Sequence, residues 1–233
     1  MSMDLKVDAG DLTTLLSCAK LYLDEATIRV ANGKATIMEV DPTHTQMMCG
    51  SIDCQSEDCE IPVNLEKLIK ALSAAGQGAV IELDDGFIRI HGAHTRIKIP
   101  LIYRDVNFKW PAKFSGQPIA ECDLPPSILA PVISYGQYTS SAAAKFTIGD
   151  TRMTIEIGQE PDVSEIVCPN TAVGESTVTV DLTYLDTIIK HVKNLPTVKV
   201  CGYGDNVPIQ FMWTAGTGVF KVMVAPRIEG DEN

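Results

Sequence analysis

Three sets of residues in this chain have types and spacings that could do chemistry. Cys49, Cys54 and Cys59 recur every five positions with His44 five earlier, and thiolate and imidazole are the donors that hold zinc. The spacing matches no known zinc motif, and free cysteine is an ordinary core residue, so no metal is expected there. Asp41 with His44, and His91 with His94 and Asp84, could join a carboxylate to an imidazole for acid–base work. Neither set has a nucleophile or a phosphate-cradling glycine loop beside it, and histidine close to aspartate is common in turns. Catalysis and a cofactor are therefore not expected.

The elements that must position any site come in two copies. A shift of 117 positions carries Leu12, Leu15, Leu16 and Ala19 onto Leu129, Val132, Ile133 and Gly136, and Val63-Asn64-Leu65 onto Val180-Asp181-Leu182. Each half also closes on a strand running into a proline, at Pro100 and at Pro226. The second strand comes late, 226 − 100 = 126 against 117, and the excess is placed in longer turns around Gly204-Asp205-Asn206 and Ala215 to Gly218. Between the copies runs Tyr103 to Pro126, whose four prolines deny it a continuous helix or central strand. Its Val106, Phe108, Trp110 and Phe114 are more apolar than a solvated linker needs. The expected organisation is a domain over 1–104, a connecting segment over 105–122, and a second domain over 123–233.

Within the first copy the pattern predicts a strand at Leu5–Val7 and a helix over 11–23 capped by Asp11. A hairpin about Asn32-Gly33 and a strand over Thr45–Cys54 come next. A strand at Glu60–Val63, a helix over 64–75 stopped by Gly76, a hairpin across 84–86 and a strand over Thr95–Leu101 complete it. The second copy repeats the order, with a helix over 126–138 in which Pro131 predicts a kink, a candidate edge strand at Ser164–Cys168, and a helix over 181–193. Strand, helix, strands, helix, strands with tight turns predicts an α+β fold: two duplicated domains of antiparallel sheet with two helices each.

Composition narrows the function. The 233 residues are 45% hydrophobic, enough for two cores, and no apolar run is long enough to span a bilayer, so no membrane partner is expected. The start MSMDLKVDAGD has neither a basic nor an apolar leader region, and seven cysteines without a CxxC favour reduced thiols in a cytosolic protein. On helical wheels Leu65, Leu68, Ile69 and Leu72 face inward while Lys67 and Lys70 face out. Likewise Leu182, Leu185, Ile188 and Ile189 face in, with Lys190 outward and Lys193 on the flank. Lys20 leaves the first helix near its exposed border. The third helix departs from this, with no charge at Ala130, Pro131, Ser134, Gln137 or Tyr138.

Lys20-Leu21 followed by Asp24-Glu25-Ala26, Val40-Asp41-Pro42-Thr43-His44, Val63-Asn64-Leu65, the crossover, and Ala225-Pro226-Arg227-Ile228-Glu229 together resemble a DNA sliding clamp of the proliferating-cell-nuclear-antigen family. The resemblance is to the compact form found in archaea and some viruses, and it covers nearly the whole length. It implies a homotrimeric ring around double-stranded DNA, bound without sequence preference, with helices lining the hole. Polymerase, clamp loader and other replication and repair proteins would dock through short hydrophobic motifs, in the cytoplasm of an archaeon or in the nucleus or host cell otherwise. Lys20, Lys67, Lys70, Lys190 and Lys193 would face DNA. Val40, His44, Val106, Phe108, Ala225, Pro226, Arg227 and Ile228 would form the docking groove, with Trp110 and Pro111 weaker candidates. Edge strands carrying Thr95, Ile97 and Ile99, and Ser164, Ile166 and Cys168, would pair between subunits. A net charge of 19 − 30 = −11 would repel DNA unless charge is segregated into a loosely positive bore and an acidic exterior. A subunit of a mixed checkpoint-type clamp and a small cytosolic enzyme are the alternatives.

Overall fold

The computed structural model describes residues 3–84, 86–103, 117–169 and 173–227. β1 (Met3–Leu5) leads into α1 (Ala9–Lys20). The helix starts earlier than its apolar periodicity implied, because Asp8 is the cap: its carboxylate accepts from the amides of Gly10 at 2.8 Å and Asp11 at 2.9 Å. Asp11 is thereby freed, and its carboxylate accepts from the Thr217 hydroxyl at 2.6 Å. β2 (Glu25–Ala31) and β3 (Lys34–Val40) fold across Asn32 and Gly33, whose φ of 53° and 74° supply the left-handed pair that a two-residue hairpin needs. β4 (Gln46–Asp53), β5 (Cys59–Asn64) and α2 (Leu65–Ala75) follow, with the Asn64 side chain accepting from the Lys67 amide at 3.0 Å. β6 (Val80–Asp84), β7 (Phe87–His91) and β8 (Arg96–Pro100) close the half.

The second half comprises β9 (Ala120–Leu124), α3 (Pro126–Tyr138), β10 (Ala143–Ile148), β11 (Arg152–Gln159), β12 (Asp162–Pro169), β13 (Ser176–Asp181), α4 (Leu182–Val192), β14 (Val198–Gly202), β15 (Ile209–Ala215) and β16 (Gly218–Val224). The helix runs on through Pro131. β9 was not anticipated. The prolines around it argued against a strand, yet Ala120, Cys122 and Leu124 alternate buried with Glu121 and Asp123, and it pairs antiparallel with β14.

The duplication is visible in the topology. A shift of 117, from 182 − 65, lays α2 on α4 end for end. In the first half β1-β6-β7-β8 form one sheet and β5-β2-β3-β4 run side by side; the second half runs β9-β14-β15-β16 and β13-β10-β11-β12 in the same order. The late arrival of β16 has three sources, the smallest being the α4–β14 connection of 193–197 against 76–79 in the first half. The β14–β15 turn holds residues 203–208 where the β6–β7 turn holds only 85–86, and β15 has seven residues against the five of β7. The β15–β16 turn, expected to be long, is only 216–217, shorter than 92–95 in the first half.

By contacts the chain forms two units, Met1–Lys109 with Thr214–Phe220, and Trp110–Trp213 with Lys221–Asn233. In the first, α1 and α2 pack together over the sheets, and Leu12, Leu15, Leu16, Leu65 and Leu68 are buried, as are Ile28, Ile37, Ile52 and Ile61 of the strands. In the second, α3 and α4 do the same with Leu129, Val132, Leu185 and Ile188, and Phe146 meets Phe211 edge to face at 5.9 Å. Gly136 of α3 stands where the first half has Ala19: a Cβ there would lie 2.1 Å from Leu182 Cδ1, so glycine lets α4 approach closely. Ile69 and Leu182, expected to face inward, are half-buried instead. They begin the solvent border of each helix pair.

Candidate nucleic-acid interface

The helix pairs carry five lysines that reach solvent, while further exposed cations, among them Lys34, Lys98 and Lys145, lie on strands. Lys67, Lys70, Lys190 and Lys193 are exposed and Lys20 is partly so, consistent with the apolar stripes of α2 and α4 facing the sheets. Three of the five are not free. Lys20 forms an ion pair with Asp24, Lys70 with Glu66 at 2.5 Å, and Lys190 with Asp186 at 2.5 Å, each four residues apart in sequence. Lys67 and Lys193 form no ion pair among the described residues. The end of α1 and the start of α2 share one charged surface. The Glu66 carboxyl is held below its ordinary range by the Lys70 hydrogen bond and charge first, and by the charge of Lys20 after them. Counted over the helices of both units, five lysines come with three carboxylates that pair with them. Those carboxylates escaped a reading that counted only cations, although the four-residue spacing that pairs them stands in the sequence.

α3 differs. Its exposed positions Ala130, Ser134, Gln137 and Tyr138 carry no charge, Pro131 is half-buried, and Tyr138 is 78% exposed. α3 offers hydroxyls and an amide where the other helices offer ammonium groups.

Both expected edges end their sheets, β8 in β1-β6-β7-β8 and β12 in β12-β11-β10-β13. Turn hydrogen bonds set which backbone groups face outward. The Gly92 amide donates to the Thr95 carbonyl at 2.9 Å, so alternation along the antiparallel ladder turns Ile97 and Ile99 toward β7, leaving Arg96 and Lys98 with open amides. The Gly149 amide donates to Arg152 at 2.9 Å, which by the same count turns Ser164, Ile166 and Cys168 toward β11 and leaves Val163, Glu165 and Val167 open. Pro100 and Pro169 fall in the outward register, where a missing donor breaks nothing inside the sheet.

Of the groove residues, Val106, Phe108 and Ile228, with Trp110 and Pro111, lie outside the described residues. Val40 ends β3, half-exposed, in the first unit. Beyond it the Asp41 carboxylate accepts from the Thr45 and Gln46 amides at 2.8 and 2.7 Å and from the hydroxyls of Thr43 and Thr45. Burial alone would raise its pKa, but these donors outweigh it and leave it lowered. The caged turn sets His44 at φ 59° with its side chain exposed. In the second unit Ala225 and Pro226 are half-buried and Arg227 exposed, the Arg227 amide donating to Thr179 at 2.8 Å and its guanidinium lying 3.8 Å from Asp181.

The sets that suggested chemistry are not assembled. Asp41 spends its carboxylate on the turn. Asp84 is held by Arg89 at 2.6 Å, and His91 lies 3.3 Å from Glu82 instead. Among the described residues no three His, Cys, Asp or Glu side chains group as a metal site. Cys54 is buried, and Cys59 is pushed up in pKa by burial first and then by its neighbours Cys54 and Asp58.

No protein-family model and no curated protein matches the sequence. Solved structures match in fold. The chain is similar to the proliferating cellular nuclear antigen of Entamoeba histolytica, with TM-score 0.80 at 13% identity over 97% of this chain and 99% of that one. It is similar to A. fulgidus PCNA bound to the C-terminal region of FEN-1, with TM-score 0.83 at 16% identity over 98% and 100%. Against PCNA from Thermococcus kodakaraensis the TM-score is 0.80 at 15% identity over 97% and 100%. At such identities the likeness is one of fold, and the fold is the α+β clamp fold over nearly the whole chain.

Proposed function

We propose that this chain is the subunit of a DNA sliding clamp, a scaffold without catalytic activity. It closes as a homotrimer around double-stranded DNA and holds polymerase and other replication and repair proteins there. The observation that carries the reading is the fold, shared over 97–98% of the chain with three clamp structures and laid down twice by an internal repeat. In this reading residues 1–104 and 123–233 are the repeats and 105–122 connects them.

The chemistry of the surface supports each role. Lys20, Lys67, Lys70, Lys190 and Lys193 give the helix layer a weak positive face inside a chain of net charge −11, which suits a ring that must slide rather than grip. Nothing on those helices resembles a base-reading cluster of arginine, asparagine and glutamine, so contact is to phosphate and independent of sequence. β8 and β12 join unlike edges, which closes a ring when the rotation closes. Val40, His44 and the 225–228 stretch, with Val106 and Phe108, would accept a short hydrophobic segment. One of the similar structures is a clamp with the C-terminal region of FEN-1 bound to it.

The test is the mass of the pure protein across concentration. A homotrimer at micromolar concentration is the expected result. A protein that stays monomeric alone overturns the homotrimer, and a ring that forms only with a second, related chain would make it a mixed clamp.

A further inference from the structure

On three helices the cations assigned to DNA are each held by a carboxylate four residues away, Lys20 by Asp24, Lys70 by Glu66 and Lys190 by Asp186. The internal repeat did not produce this by copying. At the positions equivalent to Glu66 and Lys70 the second half has Thr183 and Thr187, and at those equivalent to Asp186 and Lys190 the first half has Ile69 and Ser73. The same device is thus built at different positions of α2 and α4. At the end of α1 the order is reversed, Lys20 closing the helix and Asp24 lying beyond it. What the three share is the outcome, an exposed ammonium group with its charge locally matched, while Lys67 and Lys193 have no such partner among the described residues.

We propose that Asp24, Glu66 and Asp186 are affinity-setting residues, holding the lysines off phosphate so that the helix face binds duplex DNA loosely. The proposal rests on the reading of that face as the DNA-facing surface. Exposed ion pairs of this spacing are weak, so each lysine can exchange its carboxylate for a passing phosphate and return. A lysine engaged this way has its charge already matched. While it is paired it neutralises no phosphate and releases no condensed counterion from the DNA, so the salt dependence reports Lys67 and Lys193 above all. The carboxylates also repel the phosphates directly. Together these effects keep a small, mobile charge on the face instead of five fixed contacts.

The experiment measures binding of a fluorescent duplex of about thirty base pairs as a function of monovalent salt, for wild type and for Glu66→Gln with Asp186→Asn. Each lysine freed to a phosphate steepens the slope of log K against log salt by about 0.9 and tightens binding about eightfold at 0.1 M salt. The control is Asp53→Asn with Glu156→Gln, which removes the same net charge from pairs with Lys34 and Lys145 on strands. A steeper slope and tighter binding in the helix variant alone are expected. Equal gains in both variants, or no change of slope in the helix variant, overturn the proposal. Lys67→Glu with Lys193→Glu tests the underlying reading separately. If that pair leaves DNA binding unchanged, the face itself is misassigned; if it weakens binding while the carboxylate variant does nothing, the face stands and only the affinity-setting role fails.

Discussion

Proline at Val167 tests assembly most directly, because the ladder register separates the inner from the outer side of β12. The Val167 amide points away from β11 and its side chain is 46% exposed, so proline there removes no bond within the chain. In the proposed ring it would remove one donor from each subunit junction, at about 1 kcal/mol per lost hydrogen bond. Over the three junctions of the proposed ring that is about 3 kcal/mol, on the order of a hundredfold in the trimer association constant. The ring carbon that replaces the amide hydrogen also stands in the way of a pairing strand, so this is a lower bound. Ile166→Pro is the contrast. Its amide faces Ile155, and proline there breaks the sheet itself and lowers thermal stability before assembly is at issue. Mass photometry over a concentration series and a thermal melt of each variant separate the two. Val167→Pro should melt near the wild type once dissociation is allowed for, and dissociate at a concentration far above that of the wild type. An unchanged trimer midpoint in Val167→Pro would refute the assignment of β12 as an assembling edge.

Asp41→Asn should destabilise the first unit by about 2 kcal/mol near neutral pH, since three backbone amides and two hydroxyls converge on the carboxylate. Because the folded pKa is lowered, the stabilisation is present above about pH 4 and lost as pH falls below it; the gap between variant and wild-type melts should close in acid, and a gap constant with pH would contradict the cage. Gly136→Ala gains about 1 kcal/mol of helix propensity yet should lower stability, because overpacking costs about 1–3 kcal/mol and the new methyl would lie 2.1 Å from Leu182 Cδ1. Adding Leu182→Ala should recover part of the loss, and a double mutant that is merely additive by denaturant melting would show that the two side chains do not compete.

The elements, their order and the duplication were legible in the sequence because they rest on local physics. Alternation marks β2 and β3, Asn32-Gly33 can supply two left-handed residues, and the 3.6-residue apolar stripe of Leu65, Leu68 and Leu72 marks α2 with its lysines outward. The α+β class followed from that order, and the clamp fold from the family resemblance of particular segments such as Val40 to His44 and Ala225 to Glu229. The tertiary structure decided what depends on residues far apart in the chain or on hydrogen-bond direction. β9 is a strand because β14 offers it a ladder, against what its flanking prolines suggested. Asp11 gives up the helix cap to Asp8 and meets Thr217, a partner 206 residues away. Which amides of β8 and β12 face outward depends on two turn hydrogen bonds, and a one-residue change of register would exchange every inward group for an outward one. Whether an exposed lysine is free or matched depends on where a flexible side chain comes to rest. The spacing of Glu66 and Lys70 permits an ion pair, and only the folded helix shows that it forms.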